Sequence, residues 1–199
     1  MDILELIKNR KTIRKYQDKP VAQELIDKIV EAGIWGPSVP SFLRIQPWRF
    51  VVITNKKVKK QISDIIIEKA KTIGTGVNIL LSSAGRIIDS APAAILVYNS
   101  HDLRKFENKY KEIYSKFSWI IERAELSAIS AAIQNMIIAA EAFGVSSCWL
   151  DMPLYCREEI NEFLKTKDEL IAAMVLGYPA EEGRRSPRKP FEDTVKYIK

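Results

Sequence analysis

Residues 124–149 read AELSAISAAIQNMIIAAEAFGVSSCW. Leu126, Ile129, Ile133, Ile137 and Ala140 fall at helical spacing, and the other faces carry Ala128, Ala131, Ala132, Met136, Ile138 and Ala139. A helix apolar nearly all round belongs inside a core, where its alanines let neighbours pack close. About twenty residues at roughly 1.5 Å each cross a small domain. Gly144 suits the left-handed conformation that closes a helix, and 145–150 (VSSCWL) then reads as a short buried strand. Glu125, Ser127, Ser130, Gln134, Asn135 and Glu141 interrupt the run, which argues against a membrane span.

Outward from this helix, the composition sets bounds. The 199 residues are 47% hydrophobic and 28% charged, which fits one folded domain over 1–199 and excludes a disordered chain. The net charge of +6 and a pI near 9.2 permit a polyanion or membrane-surface partner, and equally a protein that holds small anions. The densest basic stretch, Lys56, Lys57, Lys59 and Lys60, reads as the solvated face of a helix with Val58 and Ile62 underneath. Cys148 and Cys156 have no metal spacing, and Cys148 falls in the buried strand, so both read as reduced thiols. The first residues carry no signal-peptide pattern, which makes a cytoplasmic location the expectation.

Three further stretches read as strands: 48–54 (WRFVVIT), 92–98 (PAAILVY) and 170–177 (LIAAMVLG). Helices are expected after an Asp2 cap, after Pro20 with Leu25, Ile26, Ile29, Val30 and Ile34 on one face, over 56–73, over 101–117 and over 157–164. Residues 36–46 read as a Pro- and Ser-rich loop, 74–83 as a Gly-containing loop, and 194–198 as a possible edge strand. Strands and helices alternate incompletely. The fold class is therefore α+β, a mixed and mainly antiparallel sheet packed by helices. The polar tail from Tyr178 is expected to lie on a partner subunit.

The usual nucleotide loops are absent, as are the His and Cys clusters of a metal site. The single histidine, His101, reads as a surface residue, and Glu181-Glu182 as solvated. What remains is anion chemistry. Arg10, Thr12 and Arg14 could bind a phosphate through guanidinium forks and a hydroxyl; by themselves they read first as basic residues gathered at a helix C-terminus. Arg184, Arg185, Arg188 and Lys189 form a second basic cluster, which by itself reads as a solvated patch.

Several stretches in order resemble the FMN-dependent nitroreductase family. They are Arg10-Lys11-Thr12-Ile13-Arg14-Lys15-Tyr16; Pro37-Ser38 leading to Gln46-Pro47-Trp48-Arg49-Phe50; 139–149 (AAEAFGVSSCW); and Gly177-Tyr178-Pro179 with Arg188-Lys189-Pro190. The resemblance implies a homodimer with FMN at the subunit interface and NADH or NADPH as electron donor. It implies that Arg10, Lys11, Thr12 and Arg14 hold the phosphate, ribityl and pyrimidine edge, and that Arg188 reaches the phosphate from the C-terminal segment. Pro37 and Ser38 would lie against the flavin of the other subunit, and Gly144, Val145 and Ser146 near its ring. In the family, an asparagine follows Pro-Ser and precedes Gln-Pro-Trp. Here the loop is three residues longer, and either Ser41 or Arg44 takes that position.

The implied activity is hydride transfer from NAD(P)H through flavin to a nitroaromatic, quinone or similar acceptor, by ping-pong exchange. No catalytic acid or base need come from the protein. The alternatives are a flavoprotein of the same fold with another reaction, dehalogenation or flavin processing, and a basic binding module suggested only by the pI. No nucleic acid, membrane or metal is expected.

Overall fold

Side-chain alternation along four strands divides the core into two layers. The computed structural model describes residues 2–39, 43–74, 76–103 and 111–198. The strands are β1 (Trp48–Ile53), β2 (Ala93–Asn99), β3 (Ser146–Leu150) and β4 (Glu169–Gly177), in spatial order β1-β2-β4-β3 with every ladder antiparallel. The helices are α1 (Ile3–Asn9), α2 (Gln23–Ile34), α3 (Lys56–Thr72), α4 (Val77–Ser90), α5 (Lys111–Ala142), α6 (Arg157–Leu164) and α7 (Phe191–Thr194).

β2 is buried over its whole length. Ala94, Leu96 and Tyr98 face Ile62 and Ile66 of α3 and Leu81 and Ile88 of α4, while Ala93, Ile95 and Val97 face α2 and α5. β4 follows the same period of two, with Ala173 and Val175 on the first side and Ala172, Met174 and Leu176 on the second. Between the pairs Val97–Ala172 and Tyr98–Leu170, β4 carries one extra residue, Ile171. That bulge puts Leu170 on the Tyr98 side, out of phase with the other even-numbered residues.

α5 is one 32-residue helix where the sequence suggests two; residues 104–110 lie outside the described residues. From Ala128 onward its apolar stripe is buried: Ala128, Ile129, Ala132, Ile133, Met136, Ile137 and Ala140. Leu126, expected on that stripe, is 41% exposed, and Glu125 is buried instead. The reason is polar. Glu125 Oε2 accepts from Asn99 Nδ2 at 3.0 Å and lies 3.3 Å from His101 Nδ1. His101 is thus no surface residue: its ring is held between Glu125 and Glu169, the latter 2.8 Å from Nε2.

Other expectations change locally. The loop expected over 74–83 is largely α4, whose Leu81, Ala84, Gly85, Ile87 and Ile88 are buried at helical spacing. The tail forms a short helix, α7, that ends at Thr194, and 195–198, expected to belong to an edge strand, join no strand among the described residues. Lys59 does not share the solvated face of Lys56 and Lys60. It is 2% exposed and donates to the carbonyl of Ala91 just after α4. A buried ammonium is tolerated here because it satisfies carbonyls at a helix C-terminus, where positive charge is favoured. Among the described residues no helix is long and apolar enough to cross a membrane, and no cluster of three or more His, Cys, Asp or Glu could hold a metal ion.

Candidate cofactor site

The site is built where the two ends of the chain meet at the β3 edge of the sheet. α1 stops at Asn9, and the Arg10 amide closes it by donating to Leu6 O at 3.2 Å. Arg10 is therefore the C-cap of α1, while Lys11 to Tyr16 lie beyond the helix, so only the first residue of the basic cluster sits at a helix terminus. The Ile13 amide donates to Ser147 O of β3 at 3.2 Å, and Thr12 makes a bridge to Ser147 on one side and to Arg184 on the other.

The C-terminal segment closes the far side. Gln17 N donates to Tyr178 O, and Ala180 N to Lys15 O, each at 2.9 Å. Glu181, expected to be solvated, accepts from the amides of Arg14 at 2.7 Å and Lys15 at 3.2 Å. The Arg14 amide first, then that of Lys15, holds the Glu181 carboxyl below its ordinary value. Gly183 completes the crossing with φ +68°; a Cβ there would come 2.5 Å from Ile13 Cδ1. Only glycine allows the tail to pass so close in that conformation. Residues 178–184 thus pack on their own N-terminal segment. From Ser186 onward the tail is exposed, with Phe191 at 65% and Tyr197 at 74%.

Two neighbouring cavities open along this seam. The larger, about 840 Å³, is bounded by Arg14, Lys15, Ser83, Arg86, Glu181 and Arg184, among others. The smaller, about 550 Å³, takes its charge from Lys8, Arg10, Lys11, Arg184, Arg185 and Arg188, and among the described residues no carboxylate lines it. Thr12, Arg184 and Ser186 belong to both walls. Arg10 Nη1 reaches Thr12 Oγ1 at 3.5 Å. The smaller cavity thus converges guanidinium, ammonium and hydroxyl donors, the set that matches a phosphate. The larger sets Arg14 and Arg86 along a wall that also carries the hydroxyls of Thr12 and Ser83. Beneath the seam lie Tyr16 and Cys148. Burial pushes the Tyr16 phenol far up and the Cys148 thiol to about 11, so both are protonated and inert near neutral pH.

Of the residues singled out from sequence, Arg10, Lys11, Thr12, Arg14 and Arg188 come together in these cavities. Pro37 and Ser38 follow α2 and line neither; Ser41 lies outside the described residues. Gly144 closes α5 with φ +69°, Val145 is buried in the core, and Ser146 begins β3; none of the three lines either cavity. Sequence reasoning missed Ser83, Arg86 and Glu181, and it set Arg184 down as a solvated cation. The one available signal for Arg86 was a lone cation in the otherwise apolar 84–88 run (AGRII).

Comparisons with known proteins find relatives along nearly the whole chain. The model of the Nitroreductase family matches residues 7–178. A "Putative NADH dehydrogenase/NAD(P)H nitroreductase" of Methanothermobacter thermautotrophicus is 32% identical over 91% of this chain and 79% of its own length. An iodotyrosine deiodinase of Nematostella vectensis is 29% identical over 95% of this chain and 72% of its own. Among solved structures, an FMN complex from Desulfovibrio desulfuricans superposes with a TM-score of 0.74 at 28% identity, covering 100% of this chain and 98% of that one. A BluB-like flavoprotein of Clostridium difficile gives 0.78 at 27% identity, with both chains covered completely.

Proposed function

The chain belongs to the nitroreductase family, and from that premise we propose that it is a cytoplasmic, homodimeric FMN oxidoreductase that passes reducing equivalents from NAD(P)H to a nitroaromatic, quinone or similar acceptor. The observation that carries the reading is the pair of joined cavities. One holds convergent phosphate donors and, among the described residues, no carboxylate; the other is roomier and walled by Arg14 and Arg86 with Glu181 and Glu182. The donor set fits FMN. Arg10, Lys11, Thr12 and Arg188 would hold its phosphate, and Arg14 and Arg86 would stand where negative charge on the ring is favoured. When bound, FMN supplies the redox chemistry, exchanging a hydride with donor and acceptor in turn.

The protein's own work is to bind, orient and set the local field. Glu181 ties the amides of Arg14 and Lys15 to the tail, so both walls of the larger cavity are held by one carboxylate. Pro37, Ser38 and Arg44 line neither cavity of their own chain, and Ser41 lies outside the described residues. We assign them to the flavin of a second copy, with Gly144, Val145 and Ser146 in reserve near the ring. The exposed Phe191, Val195, Tyr197 and Ile198 are apolar side chains suited to that copy's surface.

A second reading, reductive dehalogenation, follows from the deiodinase relative and differs only in the acceptor. The test is the visible spectrum of the purified protein before and after anaerobic addition of NADH and then NADPH. A flavin spectrum that bleaches is expected; a colourless protein that takes up no added FMN would overturn the reading. Turnover with nitroaromatic, quinone and iodophenol acceptors then separates the two reactions.

A further inference from the structure

The smaller cavity holds more positive charge than one phosphate monoester requires. Among the described residues six cations line it, Lys8, Arg10, Lys11, Arg184, Arg185 and Arg188, and no Asp or Glu does. A phosphate monoester carries about −1.5 to −2 at neutral pH. The carboxylates of Glu181 and Glu182 line the adjoining cavity, which Arg184 shares, and around the smaller one countercharge is sparse. Lys8 meets Glu5 at 3.4 Å, but both side chains are more than half exposed, and such a pair is weak. Arg185 donates to the neutral Asn9 side chain, and Arg188 to the carbonyls of Ser186 and Pro187 at 3.1 and 3.4 Å. Arg184 has no side-chain partner among the described residues. Once Arg10, Lys11 and Arg188 are given to the FMN phosphate, Lys8, Arg184 and Arg185 remain.

We propose that Lys8, Arg184 and Arg185 form a second anion subsite that takes the adenosine 2′-phosphate of the reducing nucleotide, and that the enzyme is therefore selective for NADPH over NADH. The inference rests on the flavin-oxidoreductase reading. Its chemistry is simple: the two nucleotides differ by one phosphate, and a guanidinium pair with an ammonium distinguishes a phosphate from a hydroxyl by charge and by bidentate geometry. Arg184 lines both cavities, which joins this subsite to the chamber of Arg14 and Arg86. A nucleotide could then reach the flavin from the side of its phosphate tail.

The experiment is steady-state kinetics of the FMN-loaded protein with each nucleotide, repeated on the Lys8→Gln/Arg185→Gln double variant. Wild type is expected to favour NADPH in kcat/KM by about tenfold or more, the scale of one charge-assisted contact. In the double variant that ratio falls about tenfold, carried by KM for NADPH. 2′,5′-ADP competes with NADPH in wild type, and 5′-AMP does so far more weakly. Equal use of both nucleotides by wild type overturns the proposal and leaves the oxidoreductase reading intact, as does an unchanged ratio in the variant. Loss of FMN from the variant overturns it too, by assigning these cations to the flavin phosphate. A flavin that neither nucleotide bleaches overturns both readings.

Discussion

Two stretches of this chain are equally basic on paper. Residues 10–16 hold Arg10, Lys11, Arg14 and Lys15; residues 56–60 hold Lys56, Lys57, Lys59 and Lys60. Most of the second stretch is already satisfied. It opens α3, with Asn55 capping the amides of Lys57 at 2.9 Å and Val58 at 3.3 Å. Lys56 faces Asp18 at 3.3 Å, Lys60 pairs with Asp64, and Lys59 is folded inward onto backbone carbonyls. In the first stretch the backbone is satisfied; Arg14 and Lys15 lie beside Glu181, while Arg10 and Lys11 line a cavity with no carboxylate among the described residues. Ser147, Ala180 and Glu181 take up its main chain, which leaves the cationic heads of Arg10, Lys11 and Arg14 to line cavities. Positive charge in a sequence becomes a binding site only where the fold withholds countercharge from it.

The largest expected effect that would break this contrast is on flavin affinity. Arg10→Ala or Arg188→Ala should weaken FMN binding about tenfold to a hundredfold, the scale of a lost charged hydrogen bond, with the far-ultraviolet spectrum unchanged. Lys56→Ala and Lys57→Ala should leave it alone. Fluorescence titration with FMN decides, and equal affinities across all four variants would erase the distinction drawn here.

Next comes stability. Lys59→Met keeps the stem but leaves the Ala91 carbonyl without its buried donor, which should cost about 1–3 kcal/mol. At this chain length that is a melting temperature lower by roughly 2–10 °C. The flavin affinity of the folded fraction should not move, since Lys59 lines neither cavity.

Smaller still is the acid response of the clamp that separates the two regions. Glu181 is an acid whose value is lowered in the fold, so its contribution is present above the ordinary carboxylate value of 4.5 and disappears as pH falls through the lowered one. FMN retention by wild type should therefore decline below about pH 4.5. Glu181→Gln should bind FMN a few-fold more weakly at neutral pH and lack that part of the acid response. Matching acid profiles for the two proteins would show that Glu181 does not hold the wall.

The smallest effect is predicted for Lys56→Ala, whose ion pair with Asp18 is almost wholly exposed. The melting temperature should stay within experimental scatter, because such surface pairs contribute little. A clear drop would mean that this stretch is held by more than its local counterions.

Much of this was legible in the chain. All four strands can be read from β-branched and apolar runs, because period-two burial is a local property that neighbouring residues record. The core helix shows the same legibility until Leu126. There the rule fails: a buried Glu125, bonded to Asn99, turns the helix face away from the simple apolar stripe. The bulge at Ile171 is a failure of the same kind, since one inserted residue reverses the alternation and nothing in 169–177 marks it. α4 was hidden by Gly74 and Gly76, although its buried set keeps helical spacing.

For the site, the sequence supplied the cations Arg10, Lys11, Arg14 and Arg188, because residue type dictates charge and fork geometry, and the resemblance to the nitroreductase family implied an anionic ligand for them. Only the tertiary structure decided which basic residues keep that charge free, that Arg86 arrives from α4, and that Glu181 reaches the Arg14 amide across 167 residues of chain. The physical reason is range. Periodicity and capping act over one or two turns and are written beside the residues they govern. Countercharge and desolvation depend on which distant segments the sheet edge brings together, and no local pattern encodes that meeting.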